Sequence, residues 1–251
     1  MNKIIILIGL LIIGTLLLSQ NVDSYNSKEI QINDFSYLEI SGITKVYYEQ
    51  GQYSQLFIYA TEEKYLDEIT IKQNNNELVI SDNFNISNTS FFDLIFNNKS
   101  KNNNDIKDDS IIIKISSPNL AGIKISGSVE FYINNKLNTN EFYTISSGAS
   151  NIVINNITAN EIVLENSGAS DITITGNTTD LYIKSSGASD IKANELSCQN
   201  AYITASGASD LRTKVQTYLQ ANLSGASSLE YYGNPNVKKV TSGASEVTKV
   251  N

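Results

Sequence analysis

One four-residue phrase, Ser-Gly-Ala-Ser, recurs through the last hundred or so residues, at Ser147–Ser150, Ser167–Ser170, Ser186–Ser189, Ser206–Ser209, Ser224–Ser227 and Ser242–Ser245. A degenerate copy, Ser126-Gly127-Ser128, precedes them. The glycines fall at Gly127, Gly148, Gly168, Gly187, Gly207, Gly225 and Gly243, in steps of 21, 20, 19, 20, 18 and 18 residues. Self-similarity at a period near twenty marks a stack of coils, in which each repeat buries its apolar side only against its neighbours. Function on such a scaffold is expected to spread over a surface of repeats, not to gather in one catalytic cleft.

The repeat from Ser167 to Ser185 shows the pattern. After the phrase come Asp171-Ile172-Thr173-Ile174, a turn at Gly176-Asn177-Thr178, and then Leu181-Tyr182-Ile183-Lys184. Alternation along an extended chain puts Ile172 and Ile174 on one side. Counting back at the same period puts Ser170 and Gly168 inward with them, and Ala169 and Asp171 outward. The preceding coil repeats this with Ile152, Ile154, Ile162 and Leu164. At about 3.3 Å per residue, a coil of this length has a perimeter of roughly 65 Å, which suits a flattened or three-sided coil of short strands. The fold expected is all-β, a right-handed parallel β-helix, the hand following from the rule for parallel crossovers. The repeated glycines are read as corner residues. The serines that close each phrase, Ser150, Ser170, Ser189, Ser209, Ser227 and Ser245, are read as a stacked ladder of hydroxyls, each donating to the one above.

Upstream, residues 27–117 read as a smaller, non-repetitive β-rich head region, and residues 118–251 as the β-helical repeats. Glu29–Ile32, Tyr37–Ile40, Ile43–Tyr48, Gln55–Tyr59, Ile69–Lys72 and Glu77–Ile80 are short strands bounded by Asn, Gly and Asp. Thr61-Glu62-Glu63 before Tyr65 and Leu66 reads as the capped start of a short helix. Residues 82–110 are rich in Asn and Ser and read as a long loop. At the N-terminus, Lys3 precedes an apolar run from Ile4 to Leu18, which suits a secretory signal over residues 1–20. Cleavage of that signal and its retention as an anchor both remain open. Export places the protein in the periplasm, on the outer-membrane surface or outside the cell.

Composition narrows the chemistry. With no His, one Cys and one Arg, the chain cannot build a Ser-His-Asp or Cys-His site, a His-bearing zinc site, an intramolecular disulfide or an arginine cluster. The formal charge of −8 argues against nucleic acid, whose binding needs clustered cations. Cys198 is expected to be a small buried residue.

Two stretches resemble a known family. Phe35-Ser36-Tyr37-Leu38-Glu39-Ile40-Ser41-Gly42 through Gly51, and Ile113-Lys114-Ile115-Ser116-Ser117-Pro118-Asn119-Leu120 through Ser128, resemble the opening and the repeat entry of the auto-transporter adhesin head GIN domain. Thr61–Ile69, Asn76–Ser81 and the Ser-Gly-Ala-Ser-Asp phrases extend the resemblance over about Ile30 to Lys249. It implies an all-β fold with parallel β-helical parts and an envelope location, and it brings no catalytic residues. The Asn-rich stretch around Asn97–Asn104 departs from the family pattern.

The remaining candidates are surface features. Asp171, Asp190, Asp210 and Glu246 follow the phrase directly, with Asn151 and Ser228 in the other copies. Calcium needs about six to eight oxygens, and one interrupted carboxylate per coil falls short of that, so no metal or other cofactor is expected. Tyr47-Tyr48, Tyr231-Tyr232 and Phe91-Phe92 should each put one ring in the core and one outside. The function expected is a non-enzymatic, adhesin-like surface or periplasmic module that binds a glycan or an envelope or host protein, or organises the envelope. The alternative is a polysaccharide lyase or glycosidase on the same scaffold, which would need a groove of convergent acids. The last coil, Glu246–Val250, is expected to self-associate weakly or dock a partner, with Lys238, Lys239 and Lys249 restraining that tendency.

Overall fold

The computed structural model describes residues 25–82 and 110–250. The apolar run Ile4–Leu18, nearly all of the Asn-rich stretch and the Phe91-Phe92 pair lie outside the described residues. What is described is one continuous winding sheet. Its first part comprises β1 (Asn26–Ile30), β2 (Tyr37–Gln50), β3 (Gln55–Ala60), the helix α1 (Glu63–Asp67), β4 (Ile69–Asn74), β5 (Glu77–Asp82) and β6 (Ile111–Ser117). Then follow β7 (Gly122–Ile133), β8 (Leu137–Asn138), β9 (Glu141–Gly148), β10 (Asn151–Asn166), β11 (Asp171–Gly187), β12 (Asp190–Gly207) and β13 (Asp210–Leu223). The last strands are β14 (Ser228–Tyr232), β15 (Asn236–Thr241) and β16 (Glu246–Lys249).

From β7 onward every pairing is parallel, and each coil lies on the one before it. Three sides make a coil. The first holds Asn151–Ile154 and its equivalents, the second is the short step at Ile157 and Thr158, and the third runs from Glu161 to Asn166. The expected turn at Gly176-Asn177-Thr178 is that second side, paired with Ile157, Thr158 and Ala159. Alternation along each strand then sorts the side chains. Phe131, Ile152, Ile172, Ile191, Leu211, Leu229 and Val247 stack in one buried inward column. Burying each Ile or Leu stabilises the stack by about 1.5–3 kcal/mol, an upper figure because the unfolded chain hides part of that surface too.

The shortening of the last two steps to 18 residues has a local cause. Ala193 pairs with Thr213 and Ser197 with Lys214, so the three residues between Ala193 and Ser197 have no counterpart in the next coil. One residue is regained between Val215 and Tyr218, against Cys198 and Asn200, for a net loss of two. The short second side absorbs the deletion, and the registers of the two long sides survive it.

The repeat starts earlier than the phrase does. β2 is itself a coil: it joins the two expected strands Tyr37–Ile40 and Ile43–Tyr48 through Ser41-Gly42, and Gly42 pairs with Gly127. The rest of the head region is inserted between this coil and the next. β5 lies beside the first half of β2 and β6 beside the second, both parallel to it. β4 closes antiparallel on β5, while β3 and then β1 extend antiparallel from β6. The pairing order therefore runs without a break past residues 117 and 118, and one buried apolar cluster extends from Phe35 to Val247. The expected short helix forms, with Glu62 and not Thr61 at its N-cap position. Thr61 instead donates its backbone N–H to the Ser110 carbonyl, and α1 is held by its buried Tyr65 and Leu66.

Lys239 stands at the far end of an inward column made by Leu164, Ile183, Ile203 and Ala221. Its ammonium donates to the Val247 carbonyl at 3.1 Å. Lys239 itself is exposed.

Cys198 is fully buried, as expected, though its column neighbours are Thr178 and Val215, not Ile or Leu. Burial pushes its thiol from 9.0 up to about 12, and burial likewise lifts the Tyr48 phenol from 10.0 to about 12 against the opposing effect of its Ser117 hydrogen bond. Both groups hold their protons longer folded than unfolded. Their contribution to stability is therefore complete below about pH 9 and is lost as pH rises toward 12. Alkaline unfolding followed by circular dichroism should fall within that window. Iodoacetamide at pH 8 should leave Cys198 unmodified in the native protein and alkylate it in denaturant. Native alkylation would contradict the buried placement.

Candidate functional site

The corner phrase is a column of backbone contacts. Gly42, Gly127 and Gly148 pair in register, as do Gly187 and Gly207. Each glycine carbonyl accepts the alanine N–H of the next coil: Ala149 on Gly127, Ala169 on Gly148, Ala188 on Gly168, Ala208 on Gly187, Ala226 on Gly207 and Ala244 on Gly225, at 2.8–3.1 Å. The closing serine donates to the same carbonyl, Ser170 to Gly148 and Ser189 to Gly168 at 3.3 Å, and Ser209 to Gly187 and Ser227 to Gly207 at 3.4 Å. A carbonyl has two lone pairs, and here both are used. Ser245 donates instead to the carbonyls of Leu223 and Ser242.

These contacts correct two details of the sequence reading. The glycines do not face inward with the serines; they sit at the exposed or half-exposed rim of the corner. Their close approach is along the stack: a Cβ on Gly225 would stand 2.6 Å from the Gly207 carbonyl oxygen, and one on Gly187 would overlap the Gly168 oxygen. Nor do the column serines mainly bond one another. Among the described residues only Ser150 and Ser170 of that column do so, at 3.0 Å, while Ser189, Ser209 and Ser227 donate to a glycine carbonyl. A second inward position completes the network. Ser146 meets Ser150 at 2.7 Å, Asn166 donates to the Ser170 carbonyl at 3.1 Å, and Ser185 meets Ser209 at 2.9 Å.

The acidic column forms as expected: Asn151, Asp171, Asp190, Asp210, Ser228 and Glu246 lie one beside the next. Cations and hydroxyls interleave it. Lys192 reaches Asp190 at 2.9 Å, Arg212 lies 3.1 Å from Glu230 and 3.8 Å from Asp190, and Ser228 donates to Asp210 at 2.6 Å. Tyr48 is buried and its neighbour Tyr47 is half-buried, whereas Tyr231 and Tyr232 are both half-buried. The aromatic contacts are ladders along the stack, with Tyr47 on Tyr132 at 5.3 Å and Tyr182 on Tyr202 at 4.9 Å, the latter 12° from parallel.

The third side carries a feature that the sequence reading passed over. Its outward residues form three parallel columns. One is Glu141, Glu161, Asp180, Asn200 and Tyr218; the next is Tyr143, Val163, Tyr182, Tyr202 and Gln220; the last is Ile145, Glu165, Lys184, Thr204 and Asn222. Between the second and third columns runs a shallow groove of about 480 Å³, floored by Tyr182 and Tyr202 and walled by Glu165, Lys184, Thr204 and Asn222. Stacked on each other, the tyrosine rings cover their faces and turn hydroxylated edges outward. Tyr143 donates to Glu161 at 3.3 Å and Tyr218 to Gln220 at 3.3 Å, but the hydroxyls of Tyr182 and Tyr202 bond to nothing among the described residues. Partial burial and the carboxylates of Asp180 and Glu161 raise the Tyr182 phenol above its ordinary value. The signal was present in the sequence as tyrosines recurring at the coil interval, 143, 182 and 202, with Val163 in the gap.

Comparison with known proteins agrees with this architecture. The family described as "Putative auto-transporter adhesin, head GIN domain" matches residues 34–235. Among solved structures, a putative adhesin from Bacteroides fragilis is similar over 90% of this chain and 97% of its own, with TM-score 0.77 and 21% identity. A putative lipid binding protein from Parabacteroides distasonis is similar over 91% and 97%, with TM-score 0.62 and 22% identity. A putative adhesin from Parabacteroides merdae is similar over 91% and 97%, with TM-score 0.57 and 20% identity. At these identities the likeness is one of fold. No curated protein matches the chain.

Two substitutions test the corner. Gly187→Val should cost about 2–4 kcal/mol in urea unfolding, because its side chain must displace the Gly168 carbonyl, while Ala188→Ser on the exposed rim should change stability by under about 0.5 kcal/mol. Ser209→Ala should cost about 1–3 kcal/mol, because it leaves the buried Ser185 hydroxyl without its partner. The double variant Ser185→Ala/Ser209→Ala should cost less than the sum of the two single changes. Strict additivity would show that the two hydroxyls are not coupled.

Proposed function

The chain belongs to the auto-transporter adhesin head GIN family, and from that premise we propose that it is an exported, non-enzymatic module that binds a glycan or an envelope protein through the outer surface of its coils. The observation that carries the reading is the third side of the solenoid. Its outward Asn, Thr, Tyr, Glu and Lys side chains stand in columns at the strand spacing, in a register that the corner contacts hold.

The polysaccharide-active alternative needs two carboxyl groups about 5–9.5 Å apart across a bound sugar. Glu161 and Glu165 share the groove but lie four residues apart on one extended strand, roughly 13 Å by backbone rise. Glu161 takes the Tyr143 hydroxyl, and Asp180 takes the Asn200 amide at 2.8 Å. Those partners favour acids acting as surface acceptors. Export rests on the Lys3 and Ile4–Leu18 pattern together with the family. Among the described residues no helix is long and apolar enough to cross a membrane.

The test is an envelope pull-down and a glycan array with the protein lacking its first twenty residues, paired with mass spectrometry of the native protein recovered from cells. The expected outcome is retention of a glycan or an envelope protein, no release of shortened saccharides, and a native N-terminus near residue 21. Shortening of a polysaccharide by the purified chain would replace the binding reading with the enzymatic one.

A further inference from the structure

We propose that the groove between the Tyr182–Tyr202 ladder and the Lys184–Thr204–Asn222 column binds an uncharged oligosaccharide lying along the solenoid axis. The inference rests on the reading of the protein as a binding module and names the ligand and its site. Three observations lead to it. First, the groove crosses β10, β11, β12 and β13, which is three strand spacings, or about 14 Å. That is room for a short extended chain, whose successive units would meet outward positions set at the strand spacing.

Second, the groups on its walls are unspent. The Tyr182 and Tyr202 hydroxyls and the side chains of Lys184, Thr204, Asn222 and Glu165 make no hydrogen bond or ion pair among the described residues. This contrasts with the inward serines that close each corner phrase, whose hydroxyls all have partners. They offer donors and acceptors of both kinds along one line, which is what a row of sugar hydroxyls and ring oxygens requires. The stacked rings contribute edges and hydroxyls, so recognition here is by hydrogen bonding more than by stacking a sugar on an aromatic face.

Third, charge selects the class. Glu161 and Glu165 oppose the single cation Lys184, so the groove is acidic on balance and sits on a chain of net charge −8. Uronate, sulfate or phosphate on a ligand would meet like charge without the cation cluster that such groups need.

The test uses the chain lacking its first twenty residues against an array of neutral glucans, mannans and galactans beside polygalacturonate and heparin, with affinities measured by calorimetry. Retention of neutral oligosaccharides in preference to the acidic ones is expected. Tyr182→Phe/Tyr202→Phe keeps the stacked rings and removes both hydroxyls, and it should weaken that binding about tenfold or more with unchanged thermal unfolding. Thr204→Arg, which fills the groove from an outward position, should abolish it. Binding only to acidic glycans overturns the proposal. So does neutral binding undiminished in both variants, which would leave the binding module standing with its site elsewhere. Capture of an envelope protein with no glycan retained also overturns it and keeps the module. Cleavage of the oligosaccharides would overturn both.

Discussion

Successive coils are locked together by the corner carbonyl, which accepts an alanine N–H and, at Gly148, Gly168, Gly187 and Gly207, a serine hydroxyl as well. Gly148 holds Ala169 and Ser170 in this way, and Gly187 holds Ala208 and Ser209. The contact is short along the stack, and a side chain at the glycine would occupy the space of the glycine beside it. Small size is therefore the requirement at this position, with positive φ an additional one at Gly148 but not at Gly187. Once the corners are pinned, the registers of both long sides are fixed, and with them the inward columns of Ile and Leu and the outward columns of polar residues.

Charged side chains stand at both ends of the described stack, Asp82 beside the corner column and Lys239 on the third side. At Gly42 no further glycine follows in the described residues; the Asp82 carboxylate stands in that place and accepts the Ile43 N–H at 2.7 Å. Here a side chain supplies the acceptor that a neighbouring coil supplies elsewhere. At the other end Lys239 turns its ammonium onto the Val247 carbonyl. The sheet also changes its pairing near Gly42, where β5 and β6 lie beside the two halves of β2 and carry antiparallel neighbours. That arrangement joins the head region to the stack through shared backbone hydrogen bonds and a shared core.

Stacking also decides what the surface can offer. In a column of like residues the side chains satisfy one another first, as Asn160 does with Asn140, whose amide nitrogen and oxygen meet at 2.6 Å. Chemistry directed at a partner is left where a column changes residue type and the pairing is incomplete. The groove beside Tyr182 and Tyr202 is such a place, because Glu165, Lys184, Thr204 and Asn222 succeed one another without making a matched ladder.

The stacked-coil architecture, the burial of Ile172, Ile174 and their equivalents, and the outward Asp column were legible in the sequence, because the phrase and the period-two alternation are local and repeat. Tertiary structure decided the rest. That Ser41-Gly42 begins the repeat was hidden because the rest of the head region separates Gly42 from Gly127 in the chain, although their backbones pair. The direction of the glycine contact was misread from alternation because a corner breaks the period-two rule that holds along a strand. The candidate groove joins residues on four successive coils, from Glu161 to Asn222. The sequence by itself set which residue types stand at each coil position; only the register between coils could decide which hydroxyls are consumed by neighbours and which are left to meet a ligand.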